Sequence, residues 1–474
     1  MLWSKLGRYE EALAENESAR ELAKQLVEQF PDQPKYRSAL ASISLNLGND
    51  FDMLGMRDEA RAAYQLARGL QKTLVEQFPN VVLHQKLLAL TQNGLGLFLE
   101  SHGQRTEALE AYQSALELER KLVEQFPDEP DYRFSLAGTY VNLGTLLQHQ
   151  GKHTEVRANL KQSRDLLTAL VEQFPDVPRY RDYLAINHSN LGNMLSRLGK
   201  REEAYAEYRS AIALGKKLVE EFPAVAQYQF FLANTQRSLG DDLVRNNMRD
   251  EAKPEYQSGI AVGKKLAERF PSVPAYQIAL GGTYCNFAIL FRDEGKTAES
   301  LEWYDQAIRI LQPAHEKAPR SLTAKEYLFN SHWGRARAYS RLQRFEEADR
   351  EWSRVIELGP LSEQPKLYAT RAKLRHRREM YAEAVADLRE AMKSETWSAG
   401  EWYDFACVYA VASSKIADKR QAFADRAMEL LHKAVKAGWM DAAHMRKDTD
   451  LDPLRNRDDF KALLAELEKE AEKK

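Results

Sequence analysis

The run Glu294-Gly295-Lys296-Thr297 has the residue types that close a phosphate-binding loop, in which backbone N–H groups cradle phosphate and a lysine reaches its far end. Leu290, however, stands where that loop needs its first glycine, so an inter-helix turn is expected there. Asp448, Asp450 and Asp452 alternate like the first ligands of a calcium loop, but Pro453 holds the place of the sharp-turn glycine and Asp459 that of the bidentate glutamate. A capped turn is the expected structure. No H-E-x-x-H, C-x-x-C or G-x-S-x-G occurs, the H-R-D and D-F-G of protein kinases are absent, and the 10 histidines are scattered without ligand spacing. Cys285 and Cys407 lie far apart and in no redox or metal-ligand spacing, which reads as two buried, reduced thiols. No catalysis, cofactor or metal is expected of this chain.

Composition narrows the partners. Lys+Arg of 68 against Asp+Glu of 70 leaves a formal charge of −2, too balanced for a polyanion binder, so nucleic acid is not an expected ligand. No run approaches the roughly 18 apolar residues of a membrane span, and the N-terminus lacks the basic start and apolar stretch of a signal peptide. A cytoplasmic setting without membrane contact is the expectation.

The elements that would position any site follow from a repeat. Pro31, Pro79, Pro127, Pro175, Pro223, Pro271 and Pro319 stand 48 residues apart, six of them after a phenylalanine. Self-similarity at such a period marks a solenoid, whose units bury their apolar faces only against neighbours. In residues 31–78, Tyr36, Leu40, Ile43, Leu47, Phe51 and Leu54 step by three or four along one stripe of a first helix. Gly55 breaks it, Asp58 and Glu59 open a second helix at its positive end, and Ala60, Tyr64, Ala67 and Leu74 continue the inward face. Gly48, Gly96, Gly144, Gly192 and Gly240 recur late in the first helix, followed in register by Ala288 and Ala336. Glycine there costs about 1 kcal/mol against alanine, so the pattern implies close helix approach.

The series Leu47-Gly48…Gly55…Ala60…Tyr64…Ala67, shared by many units, resembles the tetratricopeptide repeat over about residues 1–440. That resemblance implies an all-α fold, a right-handed superhelical solenoid of antiparallel helix pairs. The usual repeat is about 34 residues, so roughly 14 extra residues divide into about seven per helix, giving helices of about 20 residues. The expected organisation is a partial first repeat at 1–30, six 48-residue repeats at 31–318, a shorter repeat at 319–360, a near-standard one at 361–394, a final helix pair at 395–440 and a capping segment at 441–474. Gly7 aligns with the turn glycines, so the array starts in mid-repeat, and the chain is expected to be the C-terminal part of something longer. The closing stretch Ala437-Gly438-Trp439-Met440 through Leu463-Leu464 is similar to the array terminus of large bacterial serine/threonine kinases. By that analogy the segment could be the sensing or substrate-recruiting arm of such a kinase.

Relatives of this repeat hold peptides along their first helices, and asparagines there clamp the ligand main chain. Asn46, Asn142, Asn190 and Asn286 stand immediately before the Leu-Gly pair or its equivalent, with Asn49 and Asn193 just after the glycine. An amide side chain offers donor and acceptor together, which suits a peptide backbone. It equally suits a bond to the adjacent repeat. Arg197, Arg237, Arg245, Arg292, Arg337 and Arg341 fall on later first helices, whereas Asp52 and Glu100 mark early ones. The expected partner is therefore a protein or peptide segment, acidic where it meets Arg237, Arg245, Arg292 and Arg337.

Overall fold

Pro34 shows how the chain sets each first helix: its fixed φ and missing N–H suit the opening turn of a helix, where no donor is needed. The structure, a computed structural model, describes residues 9–394 and 396–471. Gly7 therefore lies outside the described residues, as do the last three residues of the capping segment. The described residues contain helices and no strand, and the chain divides into two compact units that meet at Met248 and Arg249.

Unit 1 begins with α1 (Tyr9–Gln29) and continues through α2 (Pro34–Met53), α3 (Arg57–Gln77), α4 (Val82–Ser101), α5 (Arg105–Gln125), α6 (Pro130–His149), α7 (His153–Gln173), α8 (Pro178–Arg197), α9 (Arg201–Glu221) and α10 (Ala226–Arg245). First helices run 20 residues and second helices 21, so the 48-residue period is realised as two lengthened antiparallel helices and two short turns.

Two devices repeat at the turns. After each first helix, Gly55, Gly103, Gly151 and Gly199 take φ between 70° and 76°. At the first of these, Met56 N–H reaches Phe51 O at 2.8 Å and Gly55 N–H reaches Asp52 O at 3.0 Å, the paired bonds that end a helix in the left-handed conformation. Asn247 adopts the same conformation at φ 63° without being glycine. After each second helix, the phenylalanine of the Phe-Pro phrase leaves the helix and packs on a ring six residues later. Phe126 meets Tyr132 at 5.9 Å and Phe174 meets Tyr180 at 6.1 Å, which sets the angle at which the next first helix departs.

The interior of each pair explains the helical glycines. A Cβ on Gly96 would lie 2.5 Å from the Tyr112 ring, and one on Gly192 would lie 2.8 Å from Tyr208. Tyr64, Tyr112 and Tyr208 are almost wholly buried against those bare backbones. Leu160 takes the place of the ring opposite Gly144, at 3.1 Å.

Unit 2 comprises α11 (Arg249–Arg269), α12 (Pro274–Asp293), α13 (Thr297–Lys317), α14 (Leu322–Arg341), α15 (Phe345–Leu358), α16 (Gln364–Arg377), α17 (Tyr381–Ala391), α18 (Ala399–Lys415), α19 (Arg420–Lys436), α20 (Ala442–Lys447) and α21 (Asp458–Ala471). The repeat shortens unevenly. α14 keeps 20 residues while its partner α15 has only 14, and both members of the next pair are short. Leu451, Leu454, Phe460, Leu463 and Leu467 are buried with α18 and α19, so the C-terminal segment covers the last pair with its apolar side.

Candidate functional site

The segments with catalytic residue types form turns between helices. Gly295, at φ 80°, forms the turn between α12 and α13, and Glu294 is held between Lys253 at 2.7 Å and Lys296 at 2.9 Å. Those bonds, led by the one from Lys253, hold the Glu294 carboxyl below its ordinary range. The lysine of this turn is thus tied to a carboxylate. Asp448 caps the turn Thr449–Leu454 by accepting from Asp450 N–H at 3.0 Å. It also accepts from Tyr403 Oη at 2.8 Å and from Cys407 Sγ at 3.6 Å. Burial, reinforced by the Asp448 charge, pushes the Cys407 thiol up, so it stays a donor in this cap.

Within unit 1 the asparagines divide into two groups. Asn49 Oδ1 accepts from Tyr64 Oη at 2.7 Å, and Asn193 Oδ1 accepts from Tyr208 Oη at 2.8 Å, so both acceptors hold the tyrosine that packs on the helical glycine. Asn142 Nδ2 donates to Asn93 Oδ1 at 3.1 Å, joining α6 to α4. Asn46 on α2 and Asn190 on α8 are half-buried and have no hydrogen-bond partner among the described residues. On α10, Arg237 lies 3.4 Å from Asp241 and Arg245 lies 3.4 Å from Asp242.

Within unit 2, Asn286 is half-buried on α12 and engaged. Arg292 is paired with Asp293 at 2.8 Å. Its guanidinium also lies 5.8 Å from the Trp333 ring centre, while that of Arg337 lies 4.6 Å from it. Arg337 is exposed and has no carboxylate partner among the described residues. By contrast, the inward-facing Arg335 bonds Asp305 and Glu351, each at 2.6 Å. Trp333 is half-buried, packed against the core around Trp352 on one side and met by two cations. Arginine at the fourth residue after a first-helix tryptophan is the signal that would have found it.

Buried acids in unit 1 have unusual environments. Glu119 is 1% exposed; its Oε1 accepts from Ser135 Oγ at 2.5 Å, and its Oε2 has no partner. Burial pushes its carboxyl from 4.5 up to about 7, against the smaller opposing effect of Ser135. Asp182 on α8, buried with Oδ1 unpartnered, is pushed up to about 6 by the same cause. In unit 2, burial raises Glu351, but the bonds from His332 at 2.7 Å and from Arg335 outweigh it and hold the carboxyl below its ordinary range.

Fold and faces together define an array of tetratricopeptide-like helix pairs without an assembled catalytic constellation among the described residues. No family model matches the chain, and no curated protein matches it. Among solved structures it is similar to BtubC from P. vanneervenii, at 17% identity over 56% of this chain and 93% of that one, with a TM-score of 0.43. The apo form of RapI is similar at 13% identity over 81% and 99% of the two chains, with a TM-score of 0.44. A tetratricopeptide repeat protein from Parabacteroides merdae is similar at 16% identity over 72% and 98%, with a TM-score of 0.30.

Proposed function

We propose that the chain is an interaction scaffold that holds a protein or peptide segment against its first helices and performs no chemistry of its own. One observation carries this reading: Asn46 and Asn190 present a half-buried amide without an internal partner, while Asn49, Asn142 and Asn193 are bonded within the array. A peptide backbone supplies the donor and acceptor such an amide lacks. In unit 2 the first helix α14 offers Arg337 on Trp333, where an acidic side chain of a ligand would meet an unpaired guanidinium. Arg237, Arg245 and Arg292 already neighbour carboxylates and contribute less. The two buried free thiols suit a reducing cytoplasm.

Selection of random peptides displayed on phage against the full chain tests the reading. Peptides recovered on unit 1 should lose about tenfold in affinity when Asn46→Ala and Asn190→Ala are combined. Acidic peptides should lose a similar factor with Arg337→Glu. Selected peptides that ignore all three substitutions would show that the first helices are not the binding face. Attachment to a serine/threonine kinase is a separate proposal, favoured by the closing sequence from Ala437 to Leu464. Reading the coding sequence upstream of Met1 for H-R-D and D-F-G decides it.

A further inference from the structure

Successive second helices in unit 1 leave a slot between them, floored by the intervening first helix, and the occupants of that slot differ from pair to pair. Between α7 and α9 it is closed: Glu207 takes Arg164 at 3.1 Å and His188 at 2.5 Å, with Arg157 to Glu203 at 3.2 Å beside them. Between α5 and α7 the buried Tyr140 stands at that register, bonded by Arg120 at 3.0 Å. Between α3 and α5 the same register carries Gln92 in place of Tyr140 and His188, and Ala111 in place of Glu207. Two confluent hollows of about 380 and 590 Å³ open there, sharing Gln65, Arg68 and Gln92.

At the end of this slot Arg61 lies 3.9 Å from Glu107, the counterpart of Arg157 and Glu203, but deeper in it three groups are left unsatisfied. Arg68 stands 96 residues before Arg164 in the repeat register, yet it has no hydrogen bond or ion pair among the described residues. Gln92 donates to Ser114 Oγ at 3.0 Å, but its Oε1 is buried without a partner. On the opposite wall Glu110 is likewise unpaired among the described residues. Next to Arg68, Gly69 leaves open space where any other residue would place a side chain.

We propose that this slot is a second docking site, on the second helices of unit 1, for an extended peptide segment that brings a carboxylate to Arg68. The fork of the guanidinium takes the carboxylate that Glu207 supplies to Arg164 within the chain. Gln92 Oε1 accepts a backbone N–H of the same segment, and Glu110 meets a lysine or arginine beside the acidic residue. The hollows have room for several peptide residues. The proposal is separate from the first-helix reading: Arg68 and Glu110 lie on the second helices α3 and α5, and Gln92, although on α4, turns its side chain toward Ser114 on α5.

The test is a phage-displayed random peptide selection on the full chain, with excess soluble Arg68→Glu chain as competitor. The expected winners carry an acidic residue next to a basic one and bind the chain about tenfold or more tighter than either Arg68→Glu or Gln92→Tyr. Gln92→Tyr copies Tyr140 and fills the slot without changing charge, and circular dichroism confirms that each variant keeps its helices. Asn46→Ala with Asn190→Ala should leave these peptides bound, which separates this site from the first-helix one. Failure to enrich any peptide over the competitor, or enriched peptides that bind Gln92→Tyr equally well, overturns the proposal.

Discussion

Glu119 is a charge-capable group sealed in an inter-repeat interior with one oxygen unpartnered. The same register holds Gln71 in the preceding repeat, which indicates that the position accepts a neutral amide. The linkage has a definite sign. The folded-state pKa, about 7, lies above the ordinary 4.5, so the stabilising protonated form persists below the unfolded value. Stability is lost as pH rises from about 4.5 through about 7, by an amount on the order of 3 kcal/mol. Glu119→Gln should therefore melt close to wild type at about pH 4.5 and increasingly above it as pH rises to about 7. Parallel melting curves of the two proteins across that range would show that burial does not perturb this carboxyl.

At the scale of the element, one residue type carries opposite effects according to what faces it. Gly96→Ala gains about 1 kcal/mol of helix propensity but drives a Cβ to 2.5 Å from a Tyr112 ring that is 0% exposed and has no room to retreat. A net loss of about 1–2 kcal/mol is expected in urea unfolding. Gly69→Ala, in a second helix with nothing within 4 Å, should gain about 1 kcal/mol. The turns offer a third case. Glu379 holds φ 59° between α16 and α17, where its equivalents in the long repeats are glycines except for Asn247. Glu379→Gly should stabilise unit 2 by about 1 kcal/mol, because only glycine enters that conformation freely. A lower denaturation midpoint for this variant would mean that the Glu379 side chain makes contacts that outweigh its backbone strain.

For the molecule as a whole, the repeat logic implies that stability is a sum over neighbouring helix pairs. Deleting residues 79–126 removes one complete period, α4 and α5, and brings Phe78 to the same register position before Pro127 that it held before Pro79. The shortened chain should fold with unchanged helicity per residue and a modestly lower melting temperature, measured by circular dichroism. Loss of cooperative folding would show that unit 1 has a private interior not shared repeat by repeat.

The period, the helix lengths and the turn glycines were legible in the chain because each follows from a local rule. A 3.6-residue stripe, a Phe-Pro stop and a left-handed glycine need no knowledge of distant residues. The close approach implied by Gly48 and Gly96 was equally readable, although its partner, the tyrosine 16 residues on, emerged only from the packed pair. Which polar groups are engaged depended on tertiary structure. Asn49 and Asn46 look alike in sequence, yet one meets a Tyr64 hydroxyl at 2.7 Å and the other has no hydrogen-bond partner among the described residues. Arg68 and Arg164 are the same residue in the same register, distinguished only by whether Glu207 or Ala111 faces them across a slot. Periodicity dictates the scaffold because backbone and apolar burial repeat with it. Side-chain pairing repeats only in part: the Tyr64–Asn49 bond recurs as Tyr208–Asn193, whereas the Arg164–Glu207 pair has no counterpart at Arg68, because each depends on a few ångströms between side chains.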